Sequence, residues 1–214
     1  MQLHPALSFC RIHDRFLFLD LAGDRYFGLG QELAEAFGNL LAGAATPAAC
    51  DLLARRGIVV PQDGTPIEPC PASAARRSLL DGDMPSPPVG RVASLAWSFA
   101  RTRSSLRRQG IAAMADRLAA ARRASPPSFE QTDLASGAAA YDRLCLLRGA
   151  HDLCLPHSFA LALDLVRRGC PAELVLGVQL RPFGAHCWVE SEGTLVNDRF
   201  DRVRLYTPIR LRSS

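Results

Sequence analysis

The chain reads D-L-C-L-P-H-S-F-A-L-A-L over residues 152–163, A-H-C-W-V-E over 185–190 and T-L-V-N-D-R-F over 194–200. Apolar residues recur at helical spacing in the first stretch, and the other two alternate as strands do. Cys154, His186 and Asp198 therefore fall on a helix start and on two successive strands. A thiol, an imidazole and a carboxylate are the parts of a cysteine nucleophile, its base and the group that orients the base.

The two strands are expected to be Gly184–Glu190 and Thr194–Asp198, joined as a hairpin. Ser191-Glu192-Gly193 reads as a three-residue loop with glycine in the left-handed position. Such a loop places His186 directly opposite Asp198, where Cβ atoms lie about 4.5–5.5 Å apart. Trp188 and Val196 then share that face, and Asn197 faces away. A slip of one residue would destroy this pairing.

Cys154 is expected at the first turn of a helix that ends near Gly169. Pro156 falls where a missing N–H costs little. A helix N-terminus lowers the pKa of a thiol and offers backbone N–H groups to a developing oxyanion. The surroundings of Cys154 therefore favour a catalytic role.

The residues around these three have other expected roles. Trp188 and Cys187 are predicted to be core residues, and His157 to lie at the rim of the site. His151 and Asp152 are candidates for shaping substrate entry.

Composition narrows the class of protein. The chain has 214 residues and seven cysteines without a C-x-x-C pair, which favours reduced thiols in a cytoplasmic protein. No secretory signal or run of about 18 apolar residues is present, so no membrane contact is expected. No metal-site spacing or phosphate-binding loop occurs, so neither a metal nor a cofactor is expected. Residues 89–124 carry eight arginines and a single acidic residue, Asp116. We interpret this basic segment as the solvated face of a helix and not as a nucleic-acid-binding surface. An acidic protein partner is the alternative.

The rest of the chain divides into short strands, helices and one linker. Expected strands are Phe9–Ile12, Arg15–Leu21 (central) and Arg25–Leu29, followed by helices Gln31–Leu41 and Ala48–Arg56 and by Ile58–Val60 as a wing or an extended exit. Ala72–Leu80 reads as a short helix and D-G-D-M-P-S-P-P (81–88) as a linker. Further helices are expected at Arg91–Gln109, Ile111–Arg123 and about Phe129–Leu147.

The pattern C-L-x-x-S-x-A-L…P-F-x-A-H-x-W-V-E…N-D resembles the B proteins that mature lasso peptides. These carry a transglutaminase-like (papain-like) Cys-His-Asp peptidase domain that removes the leader from a ribosomally made precursor. Arg15–Pro61 resembles the PqqD-like leader-binding domain (RiPP recognition element) that some of them carry. The resemblance implies an α+β chain with a winged-helix-like leader-binding domain (1–83), a linker (84–90) and a peptidase domain (91–214).

The resemblance also implies where the leader binds. An edge strand with unpaired backbone groups can accept an added peptide strand, and the leader is expected between that strand and the following helix. The candidate peptide-binding residues are Arg25, Tyr26, Phe27, Gly28, Leu29, Asp51, Leu52 and Arg55. The implied partners are the precursor peptide and a separate asparagine-synthetase-like macrocyclase.

The leading hypothesis is a cysteine peptidase that cleaves the leader–core bond before macrocyclisation. The same triad could instead transfer an acyl group to an amine, as a transglutaminase or N-acyltransferase does. A non-enzymatic subunit that presents a peptide is the other alternative, and an intact Cys, His and Asp argue against it.

Overall fold

The computed structural model describes residues 1–62, 67–125, 131–148 and 153–211. The chain forms two compact units, Met1–Pro71 and Ala72–Ser213. The sequence placed the boundary at residue 83 instead. Residues 72–83 belong to the second unit because Arg77–Ser78 form a strand of its sheet.

The first unit begins with strands and continues with helices. Its elements are β1 (Gln2–Leu3), β2 (Leu7–Ile12), β3 (Arg15–Asp20), β4 (Arg25–Gly28), α1 (Gln31–Leu41), α2 (Pro47–Arg55) and β5 (Val59–Val60). β3 lies between β2 and β4, as predicted for the most apolar strand. β5 pairs with β1, so the segment after α2 is a strand and not an extended exit.

Aromatic side chains form the core of the first unit. Phe9 stacks on Phe18, with the ring centroids 5.6 Å apart. Phe37 of α1 packs against Phe9 edge to face, with the centroids 5.1 Å apart. These three side chains are fully buried. Burial of side chains of this size dominates the energetics of a small core.

The second unit carries a mixed sheet and a helical layer. Its elements are β6 (Arg77–Ser78), a 3-10 turn (Leu79–Asp81), α3 (Val89–Ala124), α4 (Gln131–Arg148), α5 (Cys154–Arg167), β7 (Ala172–Leu180), β8 (Phe183–Ser191), β9 (Thr194–Leu195), α6 (Phe200–Val203) and β10 (Thr207–Arg210). The strand order is β10-β7-β8-β9-β6. The predicted helix over Ala72–Leu80 is wrong, because β6 pairs in parallel with β9. The α+β prediction is confirmed.

Two helices of this unit, α3 and α4, pack against α5. α3 breaks at Gly110, where φ is +75°, so the two predicted helices are both present. The start predicted for α4, residues 129–130, lies outside the described residues. Arg91 of α3 and Asp164 of α5 form a buried ion pair with an N–O distance of 2.8 Å. Among the described residues, no helix has the length and apolarity required to cross a bilayer.

Candidate active site

Cys154 is the first residue of α5 and is half-buried. The backbone N–H groups of Leu155 and Cys187 are directed at its sulfur. One turn further along α5, the Ser158 hydroxyl donates to the carbonyl of Cys187 at 2.9 Å. This bond fixes the start of the helix against β8, the strand that carries His186.

His186 lies in β8, opposite Gly177 of β7. Its imidazole packs between aromatic rings, with centroids 6.0 Å from Trp188 and 5.2 Å from Tyr206. A Cβ atom on Gly177 would lie 2.4 Å from Cζ3 of Trp188. Glycine is therefore the residue that leaves room for the ring behind the imidazole.

The imidazole Nε2 of His186 is hydrogen-bonded to Oδ2 of Asp198. The predicted contact is present, but the predicted register is wrong. The loop contains only Glu192 and Gly193, with φ of +46° and +74°, and Glu190 pairs with Leu195 and not with Thr194.

The contact forms because the chain leaves the ladder after Leu195. The strand predicted over Thr194–Asp198 ends there as β9, and the next residues form a bend. Val196 donates to the carbonyl of Val189, so it lies on the face opposite Trp188, contrary to the prediction. Asp198 then reaches His186 from the bend.

Asn197 points away from the imidazole and joins two other elements. Its Oδ1 accepts from the N–H of Val189 at 2.7 Å, and its Nδ2 donates to Ser158 at 2.9 Å. Oδ1 of Asp198 accepts from the N–H of Arg199 at 2.8 Å. The bend that carries Asp198 is therefore held by side-chain bonds in place of a strand ladder.

The electrostatics favour a charged thiol–imidazole pair. Burial raises the pKa of Cys154, but the hydrogen bond and charge of His186 and the two N–H donors outweigh burial and lower it. Burial lowers the pKa of His186, but its bonds to Asp198 and Cys154 outweigh that effect and raise it. Because Nε2 faces Asp198, the ring nitrogen available to the thiol is Nδ1. A depressed thiol pKa is the condition for a reactive cysteine.

Trp188 and Cys187 are buried core residues, as predicted. The rim position predicted for His157 is wrong, because the side chain is only 2% exposed. Its ring lies 4.0 Å from that of Phe99 and its Nδ1 is 3.7 Å from Cys145 Sγ. His151 and Asp152 lie outside the described residues.

The candidate peptide-binding residues lie on two elements of the first unit. Arg25, Tyr26, Phe27 and Gly28 form β4, an end strand of its sheet, and Leu29 follows it. Asp51, Leu52 and Arg55 lie on α2, with Asp51 and Arg55 exposed and Leu52 partly buried. Phe27 stacks on Phe18 at 5.2 Å, so its ring is a packing group.

Sequence reasoning missed the groups that hold Asp198. The Ser78 hydroxyl donates to the main-chain carbonyl of Asp198 at 2.6 Å. The two residues are 120 positions apart in the chain, and no local sequence pattern signals such a contact. No group of His, Cys, Asp and Glu in the described part of the chain could hold a metal ion.

The model of the transglutaminase-like superfamily matches residues 95–211, more than half of the chain. The chain therefore belongs to the transglutaminase-like superfamily. One relative is the microcin J25-processing protein McjB of Escherichia coli, 47% identical over 45 residues. That match covers 21% of this chain and 22% of McjB, so the chain spans about a fifth of that relative.

Both findings support the resemblance to lasso peptide B proteins. The family match begins at residue 95, so it leaves the leader-binding role of the first unit a prediction. No solved structure matches the chain significantly.

Proposed function

We propose that the chain is a cysteine peptidase that binds the leader of a lasso precursor peptide and cleaves the leader–core bond before a partner closes the ring. The observation that carries this proposal is the half-buried Cys154 at a helix start, hydrogen-bonded to an imidazole that is itself bonded to Asp198. The relative McjB is named for processing a microcin.

The chemistry follows from the geometry. The thiolate of Cys154 attacks the carbonyl carbon of the leader–core bond, and the carbonyl oxygen becomes an oxyanion. The first N–H groups of a helix have no intrahelical partner, so the first turn of α5 offers donors to that oxyanion. His186 gives its proton to the leaving core amine while Asp198 keeps the imidazole in the required tautomer. Water, deprotonated by His186, then releases the leader from the thioester as a carboxylic acid.

We propose that the first unit supplies the affinity for the leader. β4 pairs with β3 alone among the described strands, so its other edge offers backbone groups to an added strand. The leader would run along Arg25–Gly28, with Asp51 and Arg55 of α2 exposed to side chains of the peptide. An asparagine-synthetase-like macrocyclase would take the freed core amine, and both proteins would work in the cytoplasm.

The test is the incubation of the full chain with a lasso precursor peptide, followed by mass spectrometry. Hydrolysis yields a leader acid and a core amine, whereas acyl transfer yields the leader joined to an added amine. Cys154→Ala should abolish product and leave leader binding unchanged. Cys70→Ala, a half-buried thiol of the first unit, is the matched control and should retain activity.

Two outcomes would contradict the proposal. Full cleavage of the precursor by Cys154→Ala would exclude Cys154 as the nucleophile. A leader joined to an amine, in place of a leader with a free carboxylic acid, would establish the acyltransferase alternative. Leader binding is tested in the full chain by fluorescence anisotropy. Gly28→Pro removes a backbone donor from β4 and should weaken binding; unchanged affinity would exclude strand addition at this edge.

A further inference from the structure

The segment Ala72–Asp81, which we call the strap, lies along the hairpin of the second unit. It precedes the residues matched by the superfamily, which begin at 95. Its bonds to the hairpin follow one another in sequence: Ser73 to Glu190 at 2.6 Å, Arg76 N–H to Gly193 O at 2.9 Å, Arg77 to Thr194 at 2.9 Å and Ser78 to Asp198 O at 2.6 Å. These bonds therefore run along the hairpin as far as Asp198, the residue that contacts His186.

Asp198 requires support because it lies beyond the strand ladder. β9 ends at Leu195, and a carboxylate on a bend has more freedom than one on a paired strand. The strap continues past this point and binds where the ladder has stopped. Asp81 at its end also pairs with Arg199, with an N–O distance of 3.1 Å. The strap thus binds the main chain of Asp198 and the side chain of the residue that follows it.

The hydroxyl of Ser78 is fixed in both of its hydrogen-bonding roles. It donates to the main-chain carbonyl of Asp198 and accepts from the N–H of Leu80 at 3.0 Å. The second bond caps the 3-10 turn and sets the direction of the first. Asp198 is consequently held at its carbonyl by Ser78 and at its carboxylate by His186 and the N–H of Arg199.

We propose that the strap supports the active site, with Ser78 a positioning residue that holds Asp198 against His186. This inference rests on the proposed function only in that Asp198 orients the base. Ser78 touches neither the thiol nor the substrate. It acts through the carbonyl of Asp198, and its loss lets the carboxylate move from the imidazole.

The experiment measures the reactivity of Cys154 directly. The full chain is alkylated with iodoacetamide across a pH series, and mass spectrometry follows the peptide that contains Cys154. A displaced Asp198 stabilises the imidazolium less, so Ser78→Ala should shift the titration of Cys154 upward. The rate near neutral pH should fall about tenfold, equivalent to about 1.4 kcal/mol. Ser78→Thr keeps the hydroxyl and should restore the rate.

The matched control is Thr46→Ala, which removes a hydroxyl from the first unit, where it caps α2 by accepting from the N–H of Ala49 at 3.2 Å. It should lower the melting temperature and leave the titration of Cys154 unchanged. An unchanged titration in Ser78→Ala, or an equal shift in Thr46→Ala, would overturn the inference. The readout needs no peptide: if the wild type fails to cleave the precursor while Ser78→Ala still shifts the titration, only the proposed function fails.

Discussion

Gly177→Ala would place a Cβ atom 2.4 and 2.5 Å from two ring carbons of Trp188 and 2.8 Å from Cβ of Tyr206. Neither neighbour can swing aside easily. The indole N–H of Trp188 is tied to Glu190 at 2.8 Å, and Cβ of Tyr206 moves only with its backbone. Both rings pack against His186. The extra methyl group should therefore displace the imidazole of His186, because it moves the two rings that pack against it.

The expected cost follows from overpacking, because an alanine in a strand carries no backbone penalty of its own. An added methyl in a tight core costs roughly 1–3 kcal/mol, and the rigid neighbours place Gly177→Ala near the upper end. At roughly 2–8 °C per kcal/mol, the melting temperature should fall by about 5–15 °C. The alkylation rate of Cys154 should fall as well, because the displaced rings move the imidazole.

The control is Gly184→Ala in the neighbouring strand. Its Cβ would meet Nε2 of Gln179 at 3.1 Å, the far end of a flexible side chain. This variant should melt within about 2 °C of the wild type. Wild-type melting and alkylation in Gly177→Ala would refute the idea that this glycine makes room for the base.

Four further predictions concern the same unit. Alkylation of Cys154 should stay fast below the ordinary thiol pKa of 9.0 and decline only as the pH falls through the lowered pKa; a rate that follows an ordinary thiol would contradict the assignment. Asp198→Asn should reduce turnover by up to about 10⁴-fold, as in serine triads that lose the correct tautomer. Asn197→Ala should mainly cost stability, about 1–3 kcal/mol in urea unfolding, because a buried N–H loses its acceptor. Arg91→Ala should lower the free energy of unfolding by about 3 kcal/mol, because it leaves Asp164 buried without its main partner; a change below about 1 kcal/mol would show that the pair is solvated.

The hairpin shows where sequence reasoning succeeds and where it fails. Alternation predicted β8 well, because the strand packs on α5 at one face and contributes Trp188 to a cluster with Leu195 and Tyr206 at the other. The register failed because Glu192 adopts a φ of +46°, a conformation that non-glycine residues rarely take. Composition gave no sign that the loop would contain two residues and not three. The contact of His186 with Asp198 still formed, since a bend and not a ladder delivers the carboxylate.

The strap was mispredicted for a different reason. Ala72–Leu80 has a composition compatible with a helix, yet Arg77 and Ser78 pair with Thr194 and Leu195. Their conformation is set by an open strand edge more than a hundred residues away, and local propensity is overridden by such tertiary contacts. The strands and helices of the first unit were easier to predict from the sequence, because the apolar periodicity and the turns of that unit are local features.

The seven thiols of the chain show that environment, and not residue type, selects the candidate nucleophile. Burial raises the pKa of Cys10 to about 12 and that of Cys170 to about 11. Cys187 is adjacent to His186 in sequence, but it is enclosed on the opposite face and burial raises its pKa as well. Cys145 contacts an imidazole too, yet its pKa is raised, first by burial.

Cys154 differs in having three kinds of support for a thiolate at once. It has an imidazole bonded to a carboxylate, backbone donors from Leu155 and Cys187, and a position at the start of a helix. The hydrogen bond and charge of His186, and after them the N–H donors, offset burial and lower the pKa of the Cys154 thiol. Asp198 in turn raises the pKa of His186, which is why the segment that holds Asp198 belongs to the chemistry as much as to the fold.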